Sequence, residues 1–90
     1  MYALLFPDAY RKAELRFLKR HPDLKARYRK TLEMLGQDPF HPSLRLHPLK
    51  GHLAGLHSAA LSLQYRITLE LEIREREIVL VSIGSHDEVY

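Results

Sequence analysis

Tyr65-Arg66-Ile67-Thr68-Leu69-Glu70-Leu71-Glu72-Ile73 decides the fold class. Tyr65, Ile67, Leu69, Leu71 and Ile73 fall on one side of an extended chain, and Arg66, Thr68, Glu70 and Glu72 on the other. A period of two is that of a β-strand, here with one apolar and one wetter face. Arg74-Glu75-Arg76 then reads as a charged hairpin turn. Ile78-Val79-Leu80-Val81 continues apolar on both sides, which suits the middle of a sheet. This second strand runs from Glu77 to Ile83 and stops at Gly84, where the chain can turn sharply. Within six residues of that glycine come His86, Asp87, Glu88 and Tyr90.

Working towards the N-terminus, the glycine-bounded stretch from Gly55 to Ser62 reads as a further strand, preceded by His47-Pro48-Leu49-Lys50-Gly51. Gln37 to Ser43, with Pro39 and Pro42, has no clear period and reads as a loop. Leu24, Tyr28, Leu32 and Leu35 recur at helical spacing, with Gly36 placed to terminate the helix. Between Ala9 and His21 there is neither glycine nor proline, and Tyr10, Ala13, Phe17 and Leu18 mark another helix with Asp8 as its N-cap. His21-Pro22-Asp23 separates the two helices, because the residue before proline is pushed out of the α region. Tyr2 to Phe6 is a short apolar strand that ends at Pro7. The expected order is β-α-α-β-β-β: an α+β domain with an antiparallel sheet and a two-helix hairpin on one face.

Ninety residues without a linker make one domain, spanning 1–90, with a single modest core. There is no cysteine, hence no disulfide framework, thiolate metal site or thiol nucleophile. No apolar run approaches the roughly 20 residues that span a bilayer, and the first residues lack the pattern of a signal peptide. The expected location is the cytoplasm. Net charge is +3, unevenly spread. Residues 1–50 hold 11 Lys/Arg and 5 Asp/Glu, and residues 51–90 hold 3 and 6. The basic half suits a polyanion, either nucleic acid or an acidic protein, as well as an ordinary solvated helix face.

Six histidines are present, four of them (His41, His47, His52 and His57) within a short central stretch. Their spacing matches no common zinc pattern, and HExxH, GxSxG and P-loop motifs are absent. No metal or cofactor is expected. What remains is a set of proton-transfer and cationic groups around a wet sheet face: His57 on one strand, Arg66 on the next, and His86 with Tyr90 after the last. Imidazole, guanidinium and phenol together suit cleavage of an RNA phosphodiester. A base takes the 2′-OH proton, a cation stabilises the crowded phosphate, and an acid protonates the departing oxygen. Histidine serves either proton role near neutral pH. Tyr65 and Tyr28 lie on apolar stripes and read as core. His21 and His41 read as helix-end or solvated residues. Arg66 has an alternative as an ion-pair partner of Glu70, Glu72 or Glu77.

His47-Pro48-Leu49-Lys50-Gly51, Leu53-Ala54-Gly55-Leu56, Tyr65-Arg66-Ile67 and the closing Ile83-Gly84-Ser85-His86-Asp87-Glu88-Val89-Tyr90 carry a resemblance. The chain resembles the RelE/ParE superfamily of toxins from toxin–antitoxin modules and, within it, the YafQ-like ribosome-dependent mRNA interferases. The resemblance implies that His47 is an active-site histidine with Lys50 beside it as a phosphate-facing cation. It implies that Arg66 holds the scissile phosphate, that His86 is catalytic, and that Tyr90 stacks on or orients a base. His52 joins Lys50 as a candidate RNA contact. Two family positions differ, a histidine and an aspartate replaced here by Ala60 and Gln64. Where RelE-like members carry lysines, this chain has His57 and Ala59. The general base is therefore either His47 or His57.

The resemblance also implies partners: mRNA on the ribosome, and a cognate antitoxin forming a hetero-oligomer. A flexible acidic segment folding across the basic face would serve as that antitoxin. Two other functions stay open, a ParE-like gyrase-inhibiting toxin and a catalytically silent, antitoxin-binding member. A gyrase poison would not need His47, His86 or Tyr90. Ala60 and Gln64 motivate the silent alternative.

Overall fold

The computed structural model describes residues 1–85. The elements are β1 (Ala3–Leu5), α1 (Asp8–Arg20), α2 (Lys25–Gln37), β2 (His47–Pro48), β3 (His57–Ala60), β4 (Tyr65–Glu72) and β5 (Glu77–Ser85). Single 3-10 turns at Pro22–Leu24, Pro42–Leu44 and Gly51–Leu53 connect them. The five strands form one sheet in the order β1-β5-β4-β3-β2. The expected α+β class and helical hairpin are present. The central meander β3-β4-β5 is antiparallel, with Ala60 opposite Arg66 and Ile67 opposite Ile83.

The outer edges go beyond the sequence reading. β1 pairs with β5 in parallel, Ala3 opposite Glu77 and Leu5 opposite Val79. The hairpin of helices returns the chain to the end of the sheet it left, so β2 runs against β1. Three further reversals leave β5 pointing the same way as β1. His47–Pro48 is a short antiparallel edge strand on β3, with His47 opposite Ser58 and Pro48 opposite His57. An edge tolerates proline because no further strand needs its missing N–H.

The ladder between β4 and β5 is interrupted by a β-bulge in β5, opposite the Thr68/Leu69 step of β4. Thr68 pairs with Ser82 and Leu69 with Leu80, which leaves Val81 as the extra residue. The bulge lets Ile78, Leu80 and Ile83 all face the core despite the odd spacing of the last pair. Ile73, expected on the apolar face, is 61% exposed. β4 ends at Glu72, and Ile73 opens the turn that Arg76 closes with a φ of 54°.

Tyr10, Phe17, Tyr28 and Leu35 from the helices meet Ala59, Ile67, Leu69, Ile78, Leu80 and Ile83 from the sheet in one core. The helix ends differ in detail from expectation. Asp8 lies in the first turn rather than capping it; Pro7 occupies the cap position without a side-chain bond, and its carbonyl accepts from Arg11 N–H at 3.0 Å. Gly36 is not a left-handed terminator, since α2 continues to Gln37 and ends where Asp38 turns extended. Its carbonyl instead accepts from Tyr2 N–H at 2.6 Å, tying α2 to the start of β1.

Within the helical hairpin, Tyr28 Oη donates to Glu14 Oε2 at 2.6 Å, and Tyr10 Oη sits 2.7 Å from Tyr28 Oη. Since the Tyr28 proton goes to Glu14, Tyr10 must donate to Tyr28. Arg11 completes the chain by pairing with Glu14 Oε1 at 2.9 Å. Burial pushes both phenols well above their ordinary pKa, for Tyr28 with the Tyr10 and Glu14 charges adding to the effect.

Candidate functional site

The site forms where β4 begins, beside the edge strand β2. Arg66 is half-buried, and its guanidinium is fixed from several sides. Nε donates to Ser58 Oγ on β3 at 2.6 Å, and Nη2 donates to the Arg45 carbonyl at 3.3 Å. Nη2 also lies 3.4 Å from His47 Nδ1 on β2. The expected alternative, an ion pair with a strand glutamate, is not among its contacts in the described residues. Register explains the Ser58 bond: Ala60 faces Arg66 across the pair, so Ser58 is its diagonal neighbour on the same sheet face.

His47 is exposed, and its Nδ1 is also 3.2 Å from the Arg45 carbonyl. If Nδ1–H donates there, the lone pair of the neutral ring lies on Nε2. Arg45 O is thus shared by both side chains. Its position comes from a left-handed backbone at Arg45, with φ 47° and ψ 44°. Such a conformation is uncommon outside glycine and clusters at functional sites.

His57 is not brought to this place. It pairs with Leu69, which is fully buried. Strand alternation therefore puts it on the helix-covered face with Ala59 and Ile67, opposite to Ser58 and Arg66. Its Nδ1 is buried with no hydrogen-bond partner among the described residues. Lys50 and His52 are exposed at the Gly51–Leu53 turn, and among the described residues neither is hydrogen-bonded to Arg66 or His47. His86 and Tyr90 lie outside the described residues.

The aromatic candidates for the core pack as such. Tyr65 meets Phe17 edge-on at 5.2 Å between centroids and His21 at 4.7 Å. His41 accepts from Ser43 N–H and caps the Pro42–Leu44 turn. Gln64 lies in the β3–β4 turn rather than on a strand, and Ala60 is the cross-strand partner of Arg66. Among the described residues no group of three or more His, Asp or Glu converges as a metal ion would require, and no helix is long and apolar enough to cross a membrane.

Sequence reasoning did not single out Ser58 or Arg45. For Ser58 a signal existed, namely a small hydroxyl on the strand adjoining Arg66, readable once the pairing register is known. For Arg45 there was none, because its contribution is a carbonyl placed by backbone conformation.

No protein-family model matches the chain, and no curated protein matches it in sequence. Solved structures do match. The crystal structure of YafQ from E. coli superposes with a TM-score of 0.81 at 15% identity, covering 100% of this chain and 99% of that one. A metal-bound toxin from Helicobacter pylori gives a TM-score of 0.80 at 26% identity, with 100% of both chains covered. The E. coli DinJ–YafQ complex gives 0.73 at 20% identity, covering 100% of this chain and 99% of that one. The likeness runs over the whole length of these chains, and the chain has the fold of the RelE/ParE-like toxins in its YafQ-like form.

Proposed function

We propose that the chain is the toxin of a toxin–antitoxin pair and that it cuts messenger RNA on the ribosome, in the cytoplasm. The observation that carries this reading is the Arg66–His47 pair, a guanidinium and an imidazole 3.4 Å apart beside an exposed sheet edge. Arg66 is anchored through Nε and Nη2, which leaves Nη1 to meet a phosphate oxygen. A preorganised cation of this kind stabilises the extra charge of a pentacoordinate phosphorus without having to move. His47, held through Nδ1, presents Nε2 to take the proton of a ribose 2′-OH. The 2′ oxygen then attacks the neighbouring phosphorus, and the bond to the 5′ oxygen breaks. His86 returns a proton to that oxygen, so the products are a cyclic phosphate and a free 5′-hydroxyl. No step calls for a metal.

His86 follows Ser85 in the chain, and Ser85 pairs with Tyr65, the neighbour of Arg66. That adjacency supports its role as the acid. Tyr90 is the proposed base-stacking residue, and Lys50 and His52 the outer phosphate contacts. His57, on the other sheet face, takes no part. Between the two candidate bases, geometry favours His47.

The antitoxin would be an acidic segment neutralising the basic half of the chain. That YafQ is found in complex with DinJ supports such a partner. The test is incubation of the purified protein with translating ribosomes, followed by mapping of message 5′ ends. New ends appearing with wild type and absent with Arg66→Ala are expected. Intact message at concentrations that arrest growth would overturn the nuclease.

A further inference from the structure

A cleft of about 210 Å³ opens immediately beside Arg66, and it is lined by two further arginines. Arg27 comes from α2, Arg45 from the loop before β2, and Ser62 and Leu63 from the β3–β4 turn, with Ala60 in the wall. Among the described residues neither the Arg27 nor the Arg45 side chain has a carboxylate partner, whereas Arg11 on the far helix has Glu14. Three guanidiniums around one small cleft repel one another, and nothing described on the protein relieves that repulsion. Ser62 Oγ accepts from both Gln64 N–H and Tyr65 N–H, so its own proton is free to donate outwards. Leu63, 95% exposed, stands at the rim as an apolar surface.

The geometry points to a second phosphate subsite in this cleft, formed by Arg27, Arg45 and Ser62, for a phosphate adjacent to the one held by Arg66. The inference rests on the nuclease reading and adds the direction in which the RNA strand leaves the reaction centre. A phosphodiester carries one negative charge, which Arg66 alone would balance. The two remaining cations therefore match a further phosphate of the same strand. Leu63 at the rim gives a nucleobase an apolar face to cover. An acidic peptide from a partner could satisfy the charges, but it would make no particular use of continuity with Arg66 and His47.

The test measures binding of a non-cleavable 2′-O-methyl RNA to the full chain over about 50 to 200 mM salt. Each lost phosphate contact on a single strand lowers the slope of log K against log salt by about 0.7. Arg27→Gln, an exposed helix substitution, is expected to lose about that much, and Arg45→Asn the same, since asparagine tolerates the left-handed backbone. Arg74→Gln, in the turn at the opposite end of β4, serves as the control and should keep the wild-type slope. An unchanged slope for Arg27→Gln, with wild type binding RNA normally, overturns the subsite alone and leaves the cleft to an acidic peptide. A wild-type chain that binds no RNA at any of these salts overturns the nuclease reading, and the subsite with it.

Discussion

The Arg66 guanidinium is oriented by a serine hydroxyl and a main-chain carbonyl of the chain itself. Removing a preorganised group that stabilises transition-state charge typically costs about 10²–10³ in kcat, and Arg66→Ala is expected to fall in that range in a message-cleavage assay. Arg66→Lys should recover little, because an ammonium cannot keep the Ser58 and Arg45 bonds while still facing a phosphate. Ser58→Ala separates holding from charge. Cleavage should drop, but by less than with Arg66→Ala, while RNA affinity changes little; equal losses in both variants would show that the hydroxyl is not merely a support. For His47→Ala a loss of about 10²–10⁴ is expected of a general base, and activity close to wild type would remove His47 from that role. Arg66 and His47 were both readable in the sequence as candidates, though by different routes. Arg66 stood out as the cation on the wet side of an alternating strand, and His47 through a resemblance of its neighbours. Strand parity puts His57 opposite Leu69, on the other sheet face from Arg66. That fact depends on register, which a single sequence does not state.

Helices and the central meander followed from periodicity, because their apolar stripes are long enough to outvote individual exceptions. What escaped was wherever one residue departs from the period. Val81 is such a residue: nothing in Ile78-Val79-Leu80-Val81 distinguishes a bulge from a buried run, yet the bulge sets which side chains of β5 face the core. Deleting Val81 should leave Leu80 opposite Leu69 and Ser82 opposite Thr68, turning the bulge into a regular ladder. The variant is expected to fold with a loss of less than about 2 kcal/mol, within the ordinary range for point changes. Deleting Thr68 from the partner strand, which has no spare residue, should be far more damaging. Urea melts of both proteins decide the matter, and equal destabilisation would contradict the assigned bulge. Gly36 gives a second case. Its sequence position suggested a left-handed helix end, but its φ is not positive and a Cβ would lie 3.5 Å from Tyr2 O, an ordinary contact. Gly36→Ala is therefore expected to stabilise by about 0.4–1 kcal/mol, through reduced freedom of the unfolded chain. A destabilised variant in the same melt would restore the terminator role.

The described residues as a whole combine a hydrocarbon core with a polar chain, Tyr10 to Tyr28 to Glu14 to Arg11, which crosses the helical hairpin. The two kinds of contact respond differently to pH. Burial raises both phenols above the unfolded value of about 10. Below that pH, folded and unfolded chains carry the same phenolic protons, and the contribution to stability is fully present. Above it the unfolded chain sheds protons that the folded chain retains, so the unfolded state binds fewer and stability falls as pH rises. Two phenols give a slope of up to about 2.7 kcal/mol per pH unit, at about 1.36 kcal/mol for each. Thermal melts stepped through the alkaline range should show Tm dropping steeply once pH passes about 10. Tyrosinate absorbance should place ionisation of these two phenols together with unfolding rather than before it. Tyr28→Phe separates the network from general alkaline damage. It should cost about 1.5–3 kcal/mol near neutral pH, because Glu14 loses a buried hydrogen bond to its charge. Its alkaline decline should also be shallower than that of wild type, since one of the two responsible protons is gone. A variant that loses stability at neutral pH but declines as steeply as wild type would mean that other groups drive alkaline unfolding, and that this polar chain contributes packing without the pH dependence.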